Sequence, residues 1–184
     1  IFLESNLRIF DEIKPFLSTE ITSHDAMFLK NKNGRLTKID VGTEELNGLW
    51  QSIIPFDIDG DGNTDYIVGN WGENSKFKAS EDAPMLMYYN DFDKNGQTET
   101  IVTTAKDGKY YPLMGLDALA SQVVSLKKKY HSYKDFAGQT IEQILTEKQV
   151  KTSKKLEVNT LETGYLRNEN GRFTFIPLGY DFQV

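Results

Sequence analysis

Apolar residues in this chain recur in short runs separated by Asn-Gly, Asp-Gly and other glycine-rich breaks, the pattern of short β-strands joined by tight turns. The stretch Ile1–Thr22 is mixed: Leu7, Ile9, Phe10, Ile13, Phe16 and Leu17 keep no clean period, and we read it as a strand and a loop. Next, Ala26–Lys30 and Arg35–Ile39 flank Asn31-Lys32-Asn33-Gly34, and an Asn-Gly pair between apolar-rich runs predicts a hairpin. Further strands are expected at Ile53–Phe56, Tyr66–Val68, Met85–Tyr89 and Thr100–Thr103, where β-branched and aromatic residues concentrate. Asp107-Gly108 reads as another hairpin turn.

The texture changes after Gly115. Leu116, Leu119, Ala120, Val123, Leu126 and Tyr130 follow helical spacing, and Lys127-Lys128-Lys129 closes the last turn, where cations suit the helix dipole. Thr140-Ile-Glu-Gln143 has the form of a capping box opening a second helix, with Ile141, Ile144 and Leu145 on one face. Residues 115–150 are therefore expected to form a two-helix insertion, and Lys148–Lys155 a solvated connection. Alternation at Leu156, Val158 and Thr160 predicts a return to strand over 156–184. Within that return, Gly164–Phe175 echoes the first hairpin with the same Asn-x-Asn-Gly-Arg core.

Two strand-to-strand connections carry chemistry. Asp57-Ile-Asp59-Gly60-Asp61-Gly62-Asn63-Thr64-Asp65 sets carboxylates at alternate positions around two glycines. Ca²⁺ takes six to eight hard oxygen ligands, and loop positions 1, 3, 5, 7 and 9 converge on one ion if position 6 allows a sharp turn. Here these are Asp57, Asp59, Asp61, the main-chain carbonyl of Asn63, and Asp65, with Gly62 at position 6. The arrangement returns 34 residues later as Asp91, Asp93, Asn95, Gln97 and Glu99, with Gly96 at position 6. Mg²⁺ fits less well, because it demands a tight octahedron and keeps several waters. A solvated Asp/Gly turn is the plainer alternative for each loop.

A helix-loop-helix site would place a bidentate glutamate at position 12, but Val68 and Val102 stand there, each within a strand sequence. Strand, acidic loop and strand repeated in this way resemble the FG-GAP/VCBS repeat family, most specifically from Trp50 to Pro112, including Gly69-Asn70-Trp71-Gly72-Glu73-Asn74. The resemblance implies β-propeller blades, with Ca²⁺ stiffening the loop between strands. The second loop departs from the all-aspartate pattern at Asn95 and Glu99. We thus expect a mainly β domain over 1–184: calcium-loop blades over 26–114, the helical insertion, and a returning blade over 156–184. Ile1–Thr22 would be part of an incomplete blade. The chain opens at Ile1 without a methionine or a signal-like segment, and it stops where another loop would be due. It is expected to be an excised piece or an incomplete propeller.

Composition narrows the functional class. A net charge of −6 argues against a nucleic-acid surface, which needs clustered Lys and Arg. No apolar run approaches the roughly 18 residues of a membrane span. The absence of cysteine excludes disulfides and thiolate metal sites. Only two histidines occur, in unrelated contexts, and no nucleophile elbow, phosphate loop or His-Glu-x-x-His motif is present, so no catalytic constellation is found. Trp71 and Trp50 are candidate sugar platforms, with Asn70 for polar contact, although aromatic rings more often fill cores. Loops of this kind suit millimolar calcium, which places the expected protein outside the cell, at its surface or in a periplasm. The expected function is a calcium-binding module supporting recognition of a glycan or an extracellular protein. The alternatives are a non-catalytic part of a secreted polysaccharide-acting enzyme and a purely structural repeat. The oligomeric state is not legible.

Overall fold

The computed structural model describes residues 24, 25 and 28–183. The strand and loop expected over Ile1–Thr22 lie outside these residues, as do Ala26 and Met27 of the first hairpin. The strands are β1 (His24–Asp25), β2 (Phe28–Lys32), β3 (Arg35–Ile39), β4 (Asn47–Gly48), β5 (Ser52–Phe56), β6 (Asp65–Gly69), β7 (Met85–Asn90), β8 (Glu99–Lys106) and β9 (Lys109–Pro112). Five short helices follow: α1 (Leu116–Gln122), α2 (Leu126–Lys129), α3 (Tyr133–Phe136), α4 (Ile141–Ile144) and α5 (Glu147–Thr152). The chain then forms β10 (Lys154–Val158), β11 (Gly164–Glu169), β12 (Arg172–Pro177) and a 3-10 turn, Tyr180–Phe182. The fold is mainly β, as the alternation predicts. Among the described residues the antiparallel sheets stay open and form no closed barrel or propeller.

The expected single domain divides into two compact units, Ile1–Lys76 with Thr160–Val184, and Phe77–Asn159. In the first unit β5, β6, β11 and β12 make a four-stranded antiparallel meander, with β6 paired to β11 (Gly164 opposite Val68). The whole second unit is thus inserted, in sequence, between the second and third strands of this sheet. The two echoing hairpins share a core: the Phe28 ring stacks on Phe173 at 4.5 Å, Tyr66 meets Phe28 edge-on, and Val41, Val68 and Leu166 are buried around them. Asn33-Gly34 and Asn170-Gly171 both have positive φ, as the two-residue turns that match strand twist require. Asp107-Gly108 does the same between β8 and β9.

In the second unit the sheet runs β10-β7-β8-β9. Tyr88 and Ile101 from this sheet are buried with Leu119, Val123, Leu126, Ile141 and Ile144 from the helices. The helical spacing names the buried face but not its continuity, because five short helices stand where two are expected. The first breaks at the β-branched pair Val123-Val124, which is costly in a helix. Tighter i to i+3 bonds, Leu126 N–H to Val123 O at 3.0 Å and Lys127 N–H to Val124 O at 3.2 Å, carry the chain into α2 and keep the apolar positions in phase. Ser132 caps α3 by accepting from Asp135 N–H at 3.2 Å. Thr140 donates its N–H to Gln143 Oε1 at 2.8 Å, as the capping box at α4 predicts.

The stretch Lys148–Lys155, expected to be a solvated connection, instead holds α5 and the start of β10. The local reason is a second capping box, Thr146-Glu-Lys-Gln149: Thr146 N–H donates to Gln149 Oε1 at 2.8 Å, and Gln149 N–H donates to Thr146 Oγ1 at 3.2 Å. The lysines remain exposed, and Lys154 and Lys155 line the edge strand β10, where charge discourages further strand pairing. β10 belongs to the second unit, so the returning segment expected over 156–184 is shared between the two.

Candidate metal centres

Both acidic loops are built on the same frame. The residue before each loop pairs with position 9 across an antiparallel ladder, Phe56 with Asp65 and Asn90 with Glu99. In each, the position 2 N–H donates to the position 9 carboxylate: Ile58 to Asp65 at 2.8 Å and Phe92 to Glu99 at 2.7 Å. In each, the position 5 side chain accepts from the position 7 N–H at 2.7 Å, Asp61 from Asn63 and Asn95 from Gln97. The position 1 aspartate takes two N–H groups, Asp57 from Gly60 and Gly62, Asp91 from Asn95 and Gly96. Gly62 and Gly96 have φ of +83° and +88°, a region that a Cβ makes costly, which is why position 6 is glycine. The repeat seen in the sequence is therefore a repeat of hydrogen bonds.

The loops differ in what they gather. In the first, carboxylate oxygens of Asp57, Asp59 and Asp61 lie within 4.8 Å of one another, and all three side chains are exposed. Asp65 is committed elsewhere: it is 1% exposed, with Oδ2 accepting from Ile58 N–H at 2.8 Å and Oδ1 from Asn168 N–H at 2.7 Å. Asn63 turns its side-chain amide onto Asp61 Oδ2 at 2.7 Å. In the second loop, Asp91, Asp93 and Glu99 bring their oxygens within 4.8 Å, and here the position 9 residue is part of the group. The extra methylene of Glu99 is the chemical difference at that position.

The second group is also the better enclosed. Glu99 is 5% exposed. Burial pushes its carboxyl above the usual range, and the charges of Asp93 and Asp91 push the same way. Asp93 Oδ1 is buried and has no hydrogen-bond partner among the described residues. A buried carboxylate oxygen left without a donor is costly, and a cation among these three groups would satisfy it and reverse the mutual repulsion. Asn95 and Gln97 are exposed on the same loop, Asn95 able to add a neutral oxygen and Gln97 a main-chain carbonyl.

Two residues that hold the loops are not visible as site residues in the sequence. Asn168, from β11, donates its N–H to Asp65 and its side-chain amide to Thr64 O at 3.0 Å. Gln149, from α5, donates to Phe92 O at 2.8 Å with the amide that its capping role leaves over. The motif Thr146-x-x-Gln149 could have placed α5, but no local signal names Phe92 as its partner.

The candidate ligand-binding residues separate. Trp50 packs edge-on against Phe175 at 5.8 Å within the first unit's core. Asn70 is 5% exposed, and its side chain accepts from Leu49 and Trp71 N–H while donating to Thr160 O, so it ties loops together. Trp71 alone of the three presents a large exposed surface, 43%. Among the described residues, no helix is long and apolar enough to cross a membrane. Compared with known protein families, curated proteins and solved structures, the chain has no match.

Proposed function

We propose that this chain is a calcium-binding β module in which two repeated loops each hold one Ca²⁺, the ion serving to fix the connection between paired strands. The observation that carries this reading is the buried Oδ1 of Asp93, without a hydrogen-bond partner among the described residues, beside Asp91 and the charge-strained Glu99. Hydrogen bonds shared by two loops that differ in sequence support a common role. In the second loop the ligands are Asp91, Asp93, Glu99, Asn95 and the Gln97 carbonyl. In the first they are Asp57, Asp59, Asp61 and the Asn63 carbonyl, while Asp65 clamps the main chain. This ordering makes the second loop the stronger site, against the preference for aspartates that sequence alone suggests.

The four-stranded meander β5-β6-β11-β12 supports a blade-like reading, and with it kinship to FG-GAP/VCBS repeats. Sites of modest enclosure suit the millimolar calcium found outside cells. There the module would present Trp71 and its neighbouring loops to a glycan or an extracellular protein.

The deciding experiment is a thermal melt of chelator-treated protein with and without millimolar Ca²⁺. A ligand that binds only the native state adds roughly 2.7 kcal/mol at about a hundredfold excess over Kd. The Ca²⁺-induced rise should shrink in Asp93→Ala and shrink less in Asp59→Ala. An unchanged melt, with no metal in the purified protein, would sink the calcium reading.

A further inference from the structure

The chain carries four Asn-Gly steps, at Asn33, Asn47, Asn95 and Asn170. In such a step the glycine nitrogen can attack the asparagine side-chain amide, since the glycine has no side chain to crowd the approach. Three of the four are restrained. At Asn33 and Asn170 the step is locked in a two-residue turn, and the glycine N–H is held by a neutral amide oxygen, that of Asn31 at 2.9 Å or Asn168 at 2.7 Å. Asn47-Gly48 lies in the paired strand β4, where a Cβ on Gly48 would stand 2.6 Å from the Trp50 ring.

Asn95-Gly96 is held differently. The Gly96 N–H donates to Oδ2 of Asp91 at 3.0 Å, and Oδ1 of Asn95 accepts from Gln97 N–H at 2.7 Å. The first partner is a carboxylate in reach of the proton that must leave. The second is a donor on the oxygen where negative charge develops. These are the two aids that acyl chemistry uses, a placed base and an oxyanion donor. Gly96 is exposed and, among the described residues, no atom lies within 4 Å of where its Cβ would be, so water has access.

We propose that Asn95 is a self-modification site, and that the metal-free second loop promotes its own deamidation. Asp91 takes the Gly96 amide proton as that nitrogen bonds to Cγ of Asn95, and the charge on Oδ1 rests against Gln97 N–H. The bond from Cγ to Nδ2 then breaks, Asp91 returns the proton, and ammonia leaves a five-membered imide. Water opens the imide to aspartate or isoaspartate, so water is consumed, ammonia is released and no redox partner is needed. Aspartate at 95 would match Asp61 at position 5 of the first loop. Isoaspartate would lengthen the main chain and spoil the loop. Ca²⁺ ligation, which rests on the proposed function, would occupy both Asp91 and Asn95, so the reaction belongs to the metal-free form.

The test incubates the full chain at mildly alkaline pH in chelator and in Ca²⁺, and follows each Asn-Gly peptide by mass. In chelator, Asn95 should convert roughly tenfold or more faster than Asn33 and Asn170 in the same tube. Asp91→Asn should bring it alone down to their rate. Equal wild-type rates at the three exposed steps overturn the proposal without requiring any variant to fold. Calorimetry with Ca²⁺ separates this inference from the metal reading. Binding at the second loop that leaves the Asn95 rate unchanged overturns the calcium dependence. Absence of binding overturns the metal reading, while the chelator comparison still decides the self-modification.

Discussion

At the scale of single residues, Asp65 and Glu99 hold the same loop position and do different work. Both oxygens of Asp65 accept main-chain N–H groups, from Ile58 and from Asn168, at a site 1% exposed. An asparagine there would turn an NH₂ toward one of those donors. Asp65→Asn should therefore destabilise the protein by about 1–3 kcal/mol, with or without Ca²⁺, in urea unfolding. Glu99→Gln should instead act on metal, lowering the Ca²⁺ affinity of the second loop measured by calorimetry. If Asp65→Asn left stability intact and abolished Ca²⁺ binding, Asp65 would be a ligand and not a main-chain clamp. A position-9 carboxylate is legible in the sequence, but its partner is not. Asn168 lies 103 residues from Asp65, and only the fold brings its N–H within reach.

Glu162 makes stability depend on pH. Burial raises its carboxyl above the ordinary value of 4.5, and the charge of Glu73 adds to the rise. The folded state therefore binds this proton more tightly than the unfolded chain does. Above the ordinary carboxylate range the unfolded chain has released the proton while the native state retains it, so stability falls as pH rises through the folded pKa. Above that pKa the full cost of charging this half-buried carboxyl is present. Glu162→Gln removes this dependence. The variant should be more stable than the parent at about pH 7, and the gap should close toward about pH 3.5, where both forms are neutral. Urea midpoints at the two pH values decide it, and a gap that widened on acidification would contradict the sign.

At the scale of elements, α5 is the informative case. It is only six residues long, and none of its residues is buried, so its caps and contacts decide whether it forms. Thr146→Ala should cost about 1 kcal/mol by removing the N-cap acceptor. Gln149→Ala should cost more, because it also removes the donor to Phe92 O of the second loop, and it should weaken Ca²⁺ binding there while leaving the first loop unchanged. Equal costs for the two variants would mean that the Phe92 contact contributes nothing. The capping box at Thr140 is legible because apolar residues follow it. The one at Thr146 is masked by the lysines between Lys148 and Lys155, which read as solvent-facing and indeed are, yet cover a helix and a strand. In α1 and α2 the spacing reports which face is buried, and it stays in phase across the break at Val123 and Val124 because the tighter turn takes up the difference.

At the scale of the whole molecule, short-range pairings are legible in the sequence and the long-range one is not. An Asn-Gly turn names both its strands, but β6 and β11 pair across an inserted unit, and alternation in a strand carries no address for a distant partner. The two-unit division follows from that insertion and puts one acidic loop in each unit. Local opening in proteins follows cooperative units, so each loop should govern the protection of its own. In hydrogen exchange with Ca²⁺ present, Asp59→Ala should speed exchange at β5 and β6 and, through Asn168, at β11, leaving β7, β8 and α5 as in the parent. Asp93→Ala should give the reverse pattern, loosening β7, β8 and, through Gln149, α5. Chelation should reproduce the sum of the two. If either single variant loosened both sets, the loops would be stabilising one cooperative body, and the division at Lys76 and Asn159 would have no thermodynamic meaning.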